Sequence, residues 1–213
     1  MNNSNEETIV VIDYGVGNLG SVANMLKKVG AKKVIFSNDP EMIASSNKVL
    51  LPGVGSFDHG MKRLNDLGIS DALKTLVARD DSLLMGICLG MQLLTEGSAE
   101  GEIPGLGLVP GKALLFHDNQ GLKVPHMGWN VVYPKKSSFL LQDLPTESRF
   151  YFVHSYYVSC SNEEDVLCTT NYGNEFVSSF QRGNIIGCQF HPEKSHRFGM
   201  QLFKNFVNCK GIL

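Results

Sequence analysis

The chain lacks an excess of charge of either sign: 19 Lys and Arg stand against 21 Asp and Glu, a net charge of -2 over 213 residues. That removes the basic surface by which nucleic-acid binders are recognised. Long apolar runs are also missing. None approaches the roughly 20 residues needed to cross a bilayer, so no membrane association is expected. Cysteine is sparse and unpaired in pattern. The five residues Cys88, Cys160, Cys168, Cys188 and Cys209 are odd in number and scattered, which argues against a disulfide framework, and none has zinc-finger spacing. His59, His117, His126 and His196 have no metal-ligand spacing either, so neither metal nor cofactor is assigned. There is no internal repeat, low-complexity stretch or Pro/Gly/Ser linker. The first seven residues, Met1-Asn2-Asn3-Ser4-Asn5-Glu6-Glu7, are polar and acidic, unlike a signal or transit peptide. The expectation is a loose tail over residues 1–7 and one domain over 8–213, in a reducing, cytoplasmic compartment.

What is present has the balance of a globular α/β domain, with 43% hydrophobic and 19% charged residues. Residues 8–13 form a β-branched apolar run suited to a strand covered on both faces. Leu19, Val22, Leu26 and Val29 then recur at helical spacing, with Gly30 as C-terminal cap. Strands follow at residues 33–36, 49–51 and 82–87, with two helices between Phe57 and Arg79. This alternation implies an open, mostly parallel, doubly wound sheet. The second half is richer in strand-like runs, at 112–116, 129–133, 151–158, 166–171, 175–180 and 185–190, which implies added antiparallel strands. Ser195 is placed to cap a last helix whose Phe198, Leu202 and Phe206 recur every fourth residue.

Gly86-Ile87-Cys88-Leu89-Gly90 follows one predicted strand and opens a helix. It is the cysteine counterpart of the G-x-S-x-G nucleophile elbow, whose glycines leave room for a strained turn. At a helix N-terminus the dipole favours thiolate, and the Leu89 N–H would point at a developing oxyanion. A lone cysteine between glycines is more often a buried residue in a tight connection. A nucleophile also needs a base and a group that orients it. Gln189-Phe190-His191-Pro192-Glu193 supplies both, with His191 expected to end a strand and Glu193 to approach it from behind.

These two segments together resemble the class I glutamine amidotransferase family, along essentially the whole chain. The resemblance implies an open α/β sheet carrying a Cys88-His191-Glu193 triad that hydrolyses glutamine to glutamate and ammonia through a thioester. It also implies that Gly53 or Val54, in Leu51-Pro52-Gly53-Val54-Gly55-Ser56, supplies a second oxyanion amide beside that of Leu89. Gln92 would help to hold glutamine, and the backbone of His154-Ser155-Tyr156 would bind its carboxylate. Residues 13–20, 125–130 and 151–156 are similar to the glutaminase subunits of imidazole glycerol phosphate synthases, from histidine biosynthesis. Those work as heterodimers with a (β/α)8-barrel synthase subunit, towards which Asn18, Met127 and Trp129 would lie. Residues 195–200 look more like paralogues feeding ammonia to surface-polysaccharide sugar synthesis.

Two rival classes remain. Gly15-x-Gly17-x-x-Gly20 with Asp39 formally fits a dinucleotide fingerprint, although Asp39 precedes Pro40 and is expected beyond the second strand. A non-catalytic binding subunit is the other, opposed by the presence of all three triad residues. A related cysteine hydrolase would share the elbow.

Overall fold

The computed structural model describes residues 8–116 and 121–209. The tail expected over 1–7, and His117, lie outside the described residues. The first half alternates as read from the sequence: β1 (Thr8–Ile12), α1 (Leu19–Lys28), β2 (Lys33–Ser37), α2 (Pro40–Ser45), β3 (Lys48–Gly53), α3 (Phe57–Asp66), α4 (Ile69–Val77), β4 (Leu83–Cys88) and α5 (Leu89–Leu93). The second half adds β5 (Gly97–Ser98), β6 (Gly111–Leu115), β7 (His126–Val131), β8 (Tyr133–Pro134), β9 (Arg149–His154), β10 (Tyr156–Cys160), β11 (Val166–Tyr172), β12 (Asn174–Arg182) and β13 (Ile185–Cys188). The helix α6 (His196–Asn208) follows them.

The strands make one large sheet in the order β2-β1-β3-β4-β13-β12-β10-β6-β5, with β11 and β8 joined through β12, and a separate β7-β9 pair. From β2 to β13 the pairing is parallel. Beyond β13 it turns antiparallel through β12, β10 and β6. Inside the edge strand β2, the parallel strands β1, β3, β4 and β13 are buried on both faces, and period-two alternation divides them between two cores. Ile9, Val11, Leu50, Met85 and Ile87 face one. Val10, Ile12, Val49, Leu51 and Leu84 face the other. Each such side chain contributes roughly 1.5–3 kcal/mol by leaving water, so the centre of the sheet is the rigid part of the molecule. Its carboxyl edge is where β3, β4 and β13 end together.

Four local readings change. Residues 151–158 are two strands in different sheets: β9 pairs with β7, and β10 pairs with β6 and β12. The chain crosses between them at Ser155, and the His154 Nδ1 bond to the Tyr156 carbonyl (2.7 Å) spans the break. His191 does not end a strand, because β13 stops at Cys188. Instead the His191 N–H donates to the Tyr151 carbonyl at 2.9 Å, tying the chain to the small sheet, and Pro192 has no N–H with which to continue a ladder. Ser195 occupies the cap position of α6 without capping it. Its hydroxyl donates to the His191 carbonyl (2.6 Å) and accepts from the Tyr151 N–H (3.0 Å), bracing the turn that carries the histidine. The helix α2 has no apolar stripe to announce it. Its start is set by Asp39, whose carboxylate accepts from the Glu41 N–H at 3.0 Å, and by Pro40 in the first turn.

That use of Asp39 also overturns the dinucleotide reading. A carboxylate capping α2 is not held out for a ribose. A Cβ on Gly20 would meet nothing within 4 Å, whereas the third glycine of that fingerprint exists for close helix–strand packing.

Candidate active site

Cys88 is the last residue of β4 and the N-terminal flank of α5, with φ 56° and ψ -111°. An L-residue held there stores about 1–3 kcal/mol of strain, and the glycines around it explain how the turn closes. A Cβ on Gly86 would lie 2.6 Å from the Gly90 carbonyl oxygen, and one on Gly90 only 1.8 Å from that of Leu51. The elbow read from the sequence is therefore a real steric requirement. The helix behind it is short. At five residues α5 offers little more than one turn of aligned peptides, so the dipole acting on the sulfur is small.

The sulfur is nearly enclosed. Gln189 Nε2 donates to Cys88 Sγ at 3.8 Å, and the Val153 carbonyl lies at 4.0 Å. His191 Nδ1 and Glu193 Oε1 are 2.7 Å apart, with side chains 3% and 4% exposed. A neutral imidazole in this pair carries its proton on Nδ1, because the carboxylate accepts. The other nitrogen, Nε2, is buried and has no hydrogen-bond partner among the described residues. Burial lowers the pKa of His191, but the neighbouring Cys88 and Glu193 outweigh it and hold the value up at about 9. Cys88 and Glu193 therefore stabilise the imidazolium from both sides once a proton reaches Nε2.

These groups open into a cleft of about 390 Å³ lined by Cys88, Leu89, Gln92, Val54, Ser155 and Tyr156, with His191 on its wall. Seven of the nine residues expected in the triad, the oxyanion pocket and the glutamine site meet there. Glu193 stands behind His191, and Gly53 is buried at the end of β3. A Cβ on Gly53 would come within 2.5 Å of the Tyr14 hydroxyl and 3.1 Å of the Gly90 nitrogen, so this too must be glycine. Val54 and Gly55 lie at the cleft mouth, Val54 45% exposed and Gly55 at φ 97° with open space around it.

The three residues expected at an interface lie apart from the cleft lining. Met127 and Trp129 alternate outward on β7 and are 63% and 46% exposed. The Trp129 ring stacks on His196 at 5.3 Å and 10°. Asn18 is exposed and its side chain accepts from the Ser21 N–H, capping α1.

Several site residues had no role in the sequence reading. Gln189 was visible inside the motif around His191 but carried no signal of its own. Glu100 and Lys194 give the cleft one carboxylate and one ammonium. Glu100 also accepts from the Phe57 N–H at the start of α3 (2.8 Å), and nothing periodic marks it. Tyr14 is fully buried with its hydroxyl unpartnered among the described residues, and burial and then the charge of Cys88 raise its pKa. His126 and His154 form a buried pair, Nδ1 to Nε2 at 3.0 Å, which spacing in sequence could not reveal.

A family model described as glutamine amidotransferase class-I matches residues 10–209. The chain is 51% identical over 199 residues to a Methanococcus maripaludis protein named imidazole glycerol phosphate synthase subunit HisH 2, covering 93% of this chain and 98% of that one. It is equally similar, at 51% with the same coverage, to a protein of that name from Pseudomonas aeruginosa. Among solved structures, PurLQS from Thermotoga maritima superposes with a TM-score of 0.70 over 95% of this chain and 98% of that one. At 17% identity this is a likeness of fold.

Proposed function

The chain belongs to the class-I glutamine amidotransferase family, and from that premise we propose that it is the glutamine-hydrolysing subunit of an imidazole glycerol phosphate synthase. The observation that carries the chemistry is the meeting of Cys88, on its forced turn, with a His191 whose Nδ1 is held by Glu193 and whose Nε2 is left open, in one cleft. The names of both 51% identical relatives support the histidine-biosynthesis assignment over the surface-polysaccharide one.

In the reaction Cys88 Sγ gives its proton to His191 Nε2 and attacks the side-chain carbonyl carbon of glutamine. The developing oxyanion is met by the Leu89 N–H and by an amide of the Gly53–Val54 segment. His191 returns the proton to the leaving nitrogen, ammonia departs, and a glutamyl thioester remains. A water then gives a proton to His191 and attacks the thioester, releasing glutamate and restoring the thiol. Glu193 keeps the imidazole oriented and stabilises its charged form throughout. Gln92 and the backbone of Ser155 and Tyr156 hold the substrate, with Glu100 facing its ammonium end.

Ammonia passes to a (β/α)8-barrel synthase subunit. Exposed Met127 and Trp129 support a docking face there, since apolar side chains grouped on a surface strand mark contact sites. The register places Met127 opposite Val153, whose carbonyl lies against the sulfur. Asn18 borders the same face in this reading, and the compartment is the cytoplasm. No helix among the described residues is long and apolar enough to cross a membrane.

The test is release of ammonia and glutamate from glutamine, by the chain alone and mixed with the barrel synthase and its nucleotide ligand. A large rise on mixing is expected, and Cys88→Ala abolishes it while remaining folded. Turnover by Cys88→Ala would end the mechanism. Activity indifferent to the synthase would send the ammonia to another acceptor.

A further inference from the structure

Two buried side-chain amides meet behind the sulfur. Gln92, on α5, is 5% exposed, and Gln189, just past β13, is 0% exposed. Gln92 Nε2 donates to the Tyr156 carbonyl at 3.1 Å and to Gln189 Oε1 at 3.0 Å. Gln189 Nε2 in turn faces Cys88 Sγ at 3.8 Å.

An amide's oxygen and nitrogen have nearly the same shape, so their orientation must follow from their neighbours. The Tyr156 carbonyl can only accept, which requires the NH2 end of Gln92 to face it. That same NH2 group reaches Gln189, so the end of Gln189 it meets must be the oxygen. The remaining end of Gln189, its NH2 group, is then turned on the sulfur. The Tyr156 carbonyl orders the other side as well. It accepts from His154 Nδ1 at 2.7 Å, which leaves His154 Nε2 bare to accept from His126 Nδ1 at 3.0 Å. His126 Nε2 then accepts from Asn130 Nδ2 at 3.3 Å. One backbone carbonyl, at the crossing between the two sheets, fixes the direction of every bond in both chains.

We propose that Gln189 is a further catalytic residue of the glutaminase: its side-chain N–H is a fixed donor to the Cys88 sulfur that stabilises the attacking thiolate, and Gln92 keeps that donor turned the right way. A neutral thiol is a weak acceptor, whereas a thiolate is charged and accepts far more strongly. The bond therefore strengthens when the sulfur's proton moves to His191 Nε2, and the thiolate is then flanked by two donors. It weakens again when the S–C bond forms and the charge leaves the sulfur. When the thioester breaks, the same donor favours sulfur as the leaving group. Gln92 thus has a second task besides facing the substrate, which is why a buried partner amide is needed behind it.

This inference rests on the glutaminase reading, and its test separates the two. Gln189→Met keeps the side-chain length and removes the donor. Gln189→Glu keeps the shape and replaces the donor with an acceptor, and it carries the same expectation if the Met variant does not fold. Cys88 of the full chain is alkylated with iodoacetamide at pH 7 without glutamine, and the modified Cys88 peptide is followed by mass spectrometry. In parallel, kcat and KM are measured for glutamine hydrolysis. Loss of a hydrogen bond to a charged group slows both alkylation and kcat by roughly tenfold, with KM within about twofold of wild type. Unchanged alkylation and kcat would overturn the proposal. So would a raised KM with unchanged kcat, because Gln189 would then act only as a brace for Gln92. Slowed alkylation in a chain whose wild type does not hydrolyse glutamine would leave the donor standing and remove the glutaminase reading.

Discussion

Acidification will destabilise this protein through His126 and His154. Burial holds His126 down at about 4. Burial also dominates for His154, opposed by its bond to Tyr156 and reinforced by the charges of His126 and His191, giving about 3. The two are 3% and 6% exposed and packed among Phe116, Phe152, Phe176 and Tyr172. In the unfolded chain both titrate near 6.5. A histidine whose folded pKa is depressed contributes stability that is present above the unfolded value and lost as pH falls towards the folded one. For His126 alone, the drop from 6.5 to about 4 is worth about 3 kcal/mol. The pair shares a hydrogen bond, so the two do not simply add, and about 3–5 kcal/mol for both is the scale to expect. Against a domain stability of roughly 5–15 kcal/mol, that loss is enough to bring unfolding within reach of pH 4–5. The assay is urea unfolding by circular dichroism from pH 7.5 to 4.5, on the wild type and on a variant carrying His126→Gln and His154→Gln. Between pH 6.5 and 4.5 the wild type loses about 3 kcal/mol more than the variant. A difference below about 1 kcal/mol would refute the argument, since ordinary solvated histidines behave that way.

Two other perturbations probe the catalytic turn. Gly90→Ala places a methyl group 1.8 Å from the Leu51 carbonyl oxygen, forcing β3 and α5 apart, and costs about 3 kcal/mol or more; a melting temperature within about 2 °C of wild type would contradict the geometry. Glu193→Gln removes the carboxylate from His191 Nδ1, so kcat falls roughly 10²- to 10⁴-fold and the imidazole titrates below about 9. Because the folded pKa of His191 is raised, its stabilisation is complete below about 6.5 and lost as pH rises through about 9. The wild type therefore loses more stability than Glu193→Gln between pH 7 and 10, and matching alkaline unfolding curves would dismiss the pairing.

The parallel half of the fold was legible because its signals are local. The β-branched run at residues 8–13 and the stripe Leu19, Val22, Leu26 each report their own element, and both are found. The elbow was legible for the same reason, since two glycines within five residues record a clash that the structure measures directly. What sequence could not supply were features decided by partners distant in the chain. Residues 151–158 read as one strand because they are rich in aromatic and β-branched residues, yet β9 and β10 answer to different sheets. Ser195 reads as a cap because serine before a helix usually is one, but the carbonyl of His191 and the N–H of Tyr151 claim its hydroxyl. Gln189 needed Gln92, 97 positions away in the chain, to give its amide a direction.

The unsatisfied groups around Cys88 follow from the proposed chemistry. Among the described residues, His191 Nε2, Glu193 Oε2 and the Tyr14 hydroxyl are buried without partners, and Cys88 is held at a strained φ. Each such polar group costs about 1–3 kcal/mol relative to a satisfied one. An arrangement chosen for stability alone would relax them. In the proposed mechanism His191 Nε2 stays open because its partner is a travelling proton, and a fixed acceptor there would hold the imidazole out of use. In the proposed mechanism the strained turn at Cys88 also serves to aim the Leu89 N–H at the oxyanion. The fold can carry these costs because they sit where β3, β4 and β13 end together, and these three adjacent strands are buried along their whole length. The rigid centre of the sheet is therefore part of the catalytic apparatus: it holds in place a geometry that the residues of the site would not keep by themselves.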